Sequence, residues 1–315
     1  MPGASLKICS FNVENLFLSL EYYRGGGFDG LSEMEFRDLA LAQFRRRQKP
    51  LRKLWGLAQA MLDINADIFM LVEVGGPDSL ANFNRHFLED RYDTFFLEGN
   101  SKRNIDLGFL VKKERGLHVE TYSNRELPVE VHAYQGSYRA RFSRDVAELR
   151  VLKDGAPALI CLLTHLKSKI SSDQDFRGAD LRSAEARALA AFYEAERKKF
   201  PGVPIILGGD FNAELDSEEL APLRQTDLLD FQDVRSASRE ERTSIIHITY
   251  HGEALHQVID YMLISPDLKE HVVAGESGVY RYKGFYDIPD PLPTTMREKF
   301  RLPSDHYPLV LTLRY

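Results

Sequence analysis

Polar residues that close apolar runs are the first feature of this chain with chemical content. Asn12 and Glu14 follow "LKICSF", Glu73 follows "DIFMLV", Asp106 precedes "LGFLV" and His165 follows "LICLLT". Asp210 and Asn212 follow "IILGG", Asp260 lies inside "QVIDYMLI", and Asp305 with His306 precedes "PLVLTL". One acid at a strand end does no more than turn the chain. Several such ends, with two histidines among them, describe a site assembled where strands converge.

Metal-assisted phosphoester hydrolysis is the chemistry that needs this set. A hard divalent cation such as Mg²⁺, with Mn²⁺ as substitute, takes one or two carboxylates and keeps several waters. Glu73 is the first candidate ligand, because an acid beside the apolar run 68–72 otherwise has to be neutralised there. His165 and His306 suit general acid and base work, since an unperturbed imidazole titrates at about 6.5. Each needs a carboxylate to fix its tautomer. Asp210 and Asn212 occupy alternate positions, which in an extended segment point to the same side. One of them would orient water or help hold the metal while the other donates to a phosphate oxygen.

A site of this kind needs strands to carry it, and the chain supplies them. The runs "LKICSFNV", "DIFMLVEV", "LGFLVKK", "VAELRVL", "PALICLLTHL", "VPIILGGD", "QVIDYMLIS" and "PLVLTLRY" alternate with helical patterns. Several are apolar at consecutive positions, as in strands covered on both faces. Leu51–Ile64 reads as a helix, with Leu51, Leu54, Trp55, Ala58, Met61 and Leu62 on one stripe and Pro50 at its start. Residues 180–200 read as a second, ended by Pro201-Gly202. No repeat or linker interrupts the alternation, so one layered α/β domain over 1–315 is expected.

Other stretches carry weaker signals. The loops "LEYYRGGGFDGLSE" and "YRYKGFYDIPDPLPTTMREKFRLP" mix glycine or proline with aromatic and basic residues, as a groove rim would. The basic run Arg45, Arg46, Arg47, Lys49, Arg52 and Lys53 is read as a solvated helix face, with phosphate-backbone contact as its rival. His247 and His251 are four apart, but "IIHITYHGE" alternates like a strand, which argues against a shared zinc-binding helix face.

Together, "SFNVENL", "LVEV", "THLKS", "GGDFNAEL", "IDYMLIS" and "SDHYPLV" resemble, in order, the motifs of the endonuclease/exonuclease/phosphatase superfamily. The resemblance spans residues 8–310. It implies a four-layered α/β/β/α sandwich, two mixed β-sheets face to face with helices outside and the active site at one edge. It implies that Asn12 orients Asp210 or binds phosphate, that Glu14 and Glu73 hold the metal, and that Asp305 completes the metal site or positions water. Asp260 is expected to pair with His306. Either that pair or Asp210 is the base for in-line attack by water. His165 resembles a second acid/base or phosphate-binding histidine, with Asp106 as its carboxylate partner. Arg144, in "YRARFSRDVAEL", is the expected phosphate-binding residue. The implied activity is a Mg²⁺-dependent phosphodiesterase on nucleic acid, most simply a deoxyribonuclease. A phosphatase or phospholipase acting on an inositol phosphate or sphingolipid is the alternative, and a silent binding module a more distant one.

Composition bounds these readings. The chain has 315 residues, 43% hydrophobic and 28% charged, with a formal net charge of −6. No global charge draws it to nucleic acid or to an anionic membrane, so a polyanion needs a local patch or bound cations. No apolar run reaches the roughly 20 residues of a membrane span. The first residues lack the basic-then-apolar layout of a secretory signal, which makes a cytoplasmic location the expectation, although a processed secreted form reads the same. Cys9 and Cys161, both in apolar runs, are expected to be buried free thiols. No feature points to a stable protein partner, so a monomer is expected.

Overall fold

Apolar runs covered on both faces become strands, and their order in space decides where the polar ends meet. The computed structural model describes residues 5–18, 28, 30–41, 48–133, 136–169, 175–284 and 288–314. The strands are β1 (Ser5–Leu16), β2 (Ile68–Val74), β3 (Tyr92–Leu97), β4 (Asp106–Lys112), β5 (His118–Ser123), β6 (Pro128–Ala133), β7 (Gly136–Arg141), β8 (Val146–Lys153), β9 (Ala156–His165), β10 (Ile205–Asp210), β11 (Leu229–Asp230), β12 (Ile245–Ile248), β13 (Ala254–Gln257), β14 (Asp260–Ile264), β15 (Gly278–Val279) and β16 (Leu309–Arg314). The longer helices are α1 (Glu33–Leu41), α2 (Leu51–Ile64), α3 (Pro77–Phe87) and α4 (Ala179–Lys199).

Two six-stranded sheets form, in the orders β15-β16-β1-β2-β4-β3 and β11-β14-β10-β9-β8-β5. Each is built around one parallel pair, β1 with β2 and β9 with β10, flanked by antiparallel strands. Parallel neighbours need a crossover. Helices α1 and α2 lie between β1 and β2 in the chain, and α4 lies between β9 and β10.

Side chains from the two sheets, among them Ile8, Met70, Phe109, Leu149, Cys161, Ile206 and Met262, make one core. A second core packs the opposite face of the first sheet, through Cys9, Phe11 and Phe69, against Leu54, Met61, Phe83 and Phe87 of the helices. A third packs Ile160, Leu162 and Leu207 against Leu189 and Tyr193 of α4. Helix, sheet, sheet and helix therefore stack as four layers, the expected sandwich. Both cysteines are buried and free. No helix among the described residues is long and apolar enough to cross a membrane.

Candidate active site

The carboxyl ends of the two parallel pairs meet at one edge of the sandwich, the usual place for a ligand in α/β sheets. In the second sheet, Asp210 is paired in register with His165 of β9 on one side and with Asp260 of β14 on the other. Three neighbouring strands thus present one row of titratable groups. The first sheet answers with Asn12, whose Nδ2 donates to Asp210 Oδ2 at 3.1 Å, joining residues 198 apart in sequence.

Backbone geometry is bent to serve this edge. Glu14 (φ 49°), Asn15 (φ 54°), Glu73 (φ 68°) and Asn212 (φ 54°) all lie in the left-handed region, at a cost of about 1–3 kcal/mol each. The register between β1 and β2 shifts between Asn12 and Leu16, and that between β2 and β4 shifts between Val72 and Val74. Glu73 is the extra residue of that bulge, which turns its side chain away from the regular alternation of the strand. Gly209 has φ 138°, and a Cβ there would lie 1.9 Å from the Thr164 carbonyl oxygen. The second glycine of "GGD" is needed for β9 and β10 to bring His165 and Asp210 side by side.

His306 is the centre of the charge network. Its Nδ1 bonds Asp260 Oδ2 at 2.8 Å, and its Nε2 lies 4.0 Å from Asp210 Oδ2 and 3.9 Å from Asp305 Oδ1. Burial alone would depress its pKa, but Asp260, Asp305 and Asp210 outweigh burial and raise it well above the ordinary value. The Asp210 carboxyl is pushed up to about 7, first by burial and then by the charge of Asp260, against the pull of His306. Ser304 ties this loop to the first sheet, donating through Oγ to the Asn12 carbonyl at 2.7 Å while accepting the His306 N–H. Tyr282 donates to the His306 carbonyl.

The other expected residues divide. Arg144 is buried, and Glu185, Glu73 and Asp210 partly offset the burial that lowers its pKa. Its neighbours Tyr138, Arg139 and Arg141 are exposed on β7. Asn212 accompanies Asp210, its N–H donating to Asp210 Oδ1 at 2.8 Å and its Nδ2 to the Leu166 carbonyl at 3.0 Å. The expected pairing of Asp106 with His165 does not form. Asp106 Oδ1 and His165 Nδ1 are both buried without a hydrogen-bond partner. Burial raises the Asp106 pKa against the backbone N–H groups of Ser101 and Gly99. His165 Nε2 instead lies 3.7 Å from Asp210 Oδ2. Burial and the charges of Arg144, His306 and Arg103 hold its pKa well below the ordinary value, so the ring is neutral.

Glu14 also departs from expectation. Its carboxylate is taken by Lys53 at 2.6 Å and Lys49 at 3.3 Å, two lysines on the buried side of α2 and its approach. Burial lowers the Lys49 pKa to about 8 against the attraction of Glu14. Lys49 and Lys53 are therefore not part of a solvated face; Arg45, Arg46 and Arg47 lie outside the described residues. Arg103, which donates to Asn15 at 2.8 Å and stands 4.0 Å from Glu73, carried no sequence signal. Asp305 lies 3.5 Å from Lys299. Burial opposes its charge, yet His306, Lys299 and Lys53 hold its carboxyl below the usual range.

The donor set suits a hard divalent cation. Glu73 Oε2 accepts the Asn15 N–H at 3.0 Å, while Oε1 lies 4.0 Å from Arg103 Nη1. Asp210, Asp260 and His306 each place one ligand atom within 4.8 Å of the others. Asp260 and Glu73 both push the Asp210 carboxyl upward, the mark of negative charge gathered in a buried place that a cation would relieve.

Fold and site together define a two-sheet α/β hydrolase that gathers acids, amides and imidazoles at one edge. The sequence profile of the Endonuclease/Exonuclease/phosphatase family matches residues 9–306, and the chain belongs to that family. Its members are phosphoric ester hydrolases dependent on a divalent metal, and this chain is an enzyme of that class. No curated protein sequence matches it. Among solved structures, truncated Caenorhabditis elegans TDP2 superposes with a TM-score of 0.62 at 17% identity, over 99% of this chain and 98% of that one. The human Nocturnin catalytic domain with bound sulfate anion gives 0.57 at 16% identity, over 98% and 93%. D. rerio TDP2 complexed with single strand DNA product gives 0.57 at 15%, over 99% and 100%. At these identities the likeness establishes the fold.

Proposed function

We propose that the chain, as one catalytic domain, hydrolyses phosphodiester bonds of nucleic acid by in-line attack of water on phosphorus. One observation carries the reading: the row His165, Asp210 and Asp260 across three strands, met by Asn12 and His306 from the other half of the sandwich. The D. rerio structure with its single-strand DNA product supports the substrate class.

Asp260 fixes His306 with Nδ1 toward its own carboxylate and Nε2 toward the cleft. Because three carboxylates favour the imidazolium, His306 acts as a cation and donor to a phosphate oxygen. Asp210, with a pKa near neutrality and Oδ1 steadied by the Asn212 N–H, is then the base that accepts the proton of water. Asn12 orients Asp210 through its amide. Arg144, neutral His165 and the Asn212 amide bind the phosphate. Glu73, whose charge acts on Asp210, would hold Mg²⁺ or Mn²⁺ together with Asp210 and Asp305. The cation, when bound, supplies charge stabilisation to the nonbridging and leaving oxygens. Glu14 braces the β1 end through its two lysines.

A substrate panel under Mg²⁺ tests the reading: plasmid, single-stranded DNA, RNA, an abasic duplex, sphingomyelin and an inositol polyphosphate. Turnover of one or more nucleic acids, abolished by chelator, is expected. Turnover confined to sphingomyelin or the inositol phosphate would replace it with the lipid or small-molecule alternative.

A further inference from the structure

Helix α4 holds the active-site loops from behind. Glu185 is fully buried on α4 and accepts two backbone N–H groups from separate loops, Ser143 on Oε1 and Lys167 on Oε2, each at 2.6 Å. Ser143 immediately precedes Arg144, and Lys167 lies two residues beyond His165. Arg182, one helical turn earlier and 1% exposed, donates to the Lys167 carbonyl at 2.8 Å and to the Arg177 carbonyl at 3.2 Å. Its remaining donors close on Glu219 at 2.7 and 2.8 Å. Both backbone groups of Lys167 are therefore gripped by one turn of α4.

The residue fixed between these contacts is Leu166. Its carbonyl accepts Asn212 Nδ2 at 3.0 Å and Arg144 Nη1 at 3.5 Å, and its N–H donates to the Asp210 carbonyl at 3.0 Å. A wholly buried carboxylate is expensive unless its oxygens are bonded and its charge is compensated. At Glu185 burial raises the pKa, while the two N–H groups and the charge of Arg144 oppose it. An apolar residue would fill the same space at lower cost but would release both loops.

We propose that Glu185, supported by Arg182, is a positioning residue for phosphoester hydrolysis: it fixes the loops that aim Arg144 and Asn212 at the substrate phosphate. The proposal rests on the phosphate-binding roles assigned above. Glu185→Gln keeps the volume but leaves one acceptor for two N–H groups, and its amide NH₂ opposes the second.

The full chain carrying Glu185→Gln is compared with wild type, Arg144→Ala and the double variant. Expected are faster amide exchange at Ser143, Arg144 or Lys167 with β10 unchanged, and affinity for inorganic phosphate reduced about tenfold, as in Arg144→Ala. For bis(p-nitrophenyl) phosphate, kcat should fall about 10- to 100-fold, the scale of a misplaced binding group, while the half-saturating Mg²⁺ concentration stays put. The double variant should be no worse than Arg144→Ala alone. Unchanged phosphate affinity, additive losses, or a lowered Tm with full activity in the folded fraction would each overturn the proposal, as would a wild-type chain that binds no phosphate. A wild-type chain that binds phosphate yet leaves the diester intact counts against the proposed function, and the clamp is then judged on exchange and phosphate affinity. Should Glu185→Gln not fold, Arg182→Lys, which gives up the fork to Glu219, carries the same readouts.

Discussion

Two residues 4.0 Å apart, His306 and Asp210, carry opposite roles in the proposed mechanism, one as donor to the phosphate and the other as base for water. The imidazole is surrounded by carboxylates and the carboxylate is buried beside another carboxylate, so each is driven away from its ordinary charge balance. The division of roles has a signature in the pH–rate profile. Activity should fall on the acid side as Asp210 takes up a proton, with that limb at or below pH about 7 because a bound cation lowers it further. It should fall on the alkaline side only well above 6.5, where His306 loses its proton. Asp210→Asn and His306→Ala should each lower kcat by at least about 10²-fold with the fold intact, the usual scale of acid–base roles. In what remains, Asp210→Asn should lack the acid limb. An acid limb that persists in that variant makes His306, paired with Asp260, the base instead.

At the scale of elements, legibility followed coverage. β1, β2, β4, β8, β9, β10, β14 and β16 lie in sheet interiors or against helices and read as apolar runs, and Leu51–Ile64 was found with its own boundaries. The edge strand β5, with the sequence HVETYS and one half-exposed face, and the small hairpin β6–β7 gave no such run. The polar groups at strand ends were legible because they interrupt those runs. Glu185 was not, because a polar residue inside a helix reads as solvated until packing turns it inward. Nor could sequence place the Glu14 carboxylate on α2 rather than in the cleft, since a bulge decides where it points. The junction of β5 and β8 offers a separate test. Asp145 Oδ1 accepts the Asn124 N–H at 2.8 Å, Oδ2 is buried without a partner, and burial pushes its carboxyl up to about 6. The folded chain therefore holds this proton more tightly than the unfolded chain, whose aspartate titrates at about 3.9. Stability from this group is greatest below about 4 and declines through about 6, by on the order of 2–3 kcal/mol. Denaturant unfolding at pH 4 to 7 should show Asp145→Asn without that decline; parallel curves for the two chains would remove Asp145 from the linkage.

Over the whole molecule, the four layers serve to bring the ends of two parallel strand pairs to one edge, and the consequence is a concentration of acid there. A chain of net charge −6 has no surplus of positive field to spend on a polyanion. In the proposed mechanism Arg144, His306 and a bound cation are what reverse the local sign and let the cleft accept phosphate. The same argument makes the cation a stabilising ligand of the folded chain, since the unfolded chain scatters Glu73, Asp210, Asp260 and Asp305 and holds no site. Binding to the folded form alone adds RT ln(1 + [L]/Kd), about 2.7 kcal/mol at a hundredfold excess over Kd. Thermal unfolding without substrate should therefore show Tm rising with Mg²⁺ or Mn²⁺ over the range in which the site fills, and falling back on addition of chelator. Glu73→Gln, which removes a charge but keeps an acceptor for the Asn15 N–H, should shift that response to higher metal concentration. Ser304→Ala loosens the His306 loop without touching an acid, and should leave the metal response in place while lowering turnover. Identical metal responses in wild type and Glu73→Gln would take Glu73 out of the metal site and leave Asp210, Asp260 and His306 as the remaining candidate group, whereas a wild-type Tm insensitive to both cations would overturn metal binding at this edge altogether.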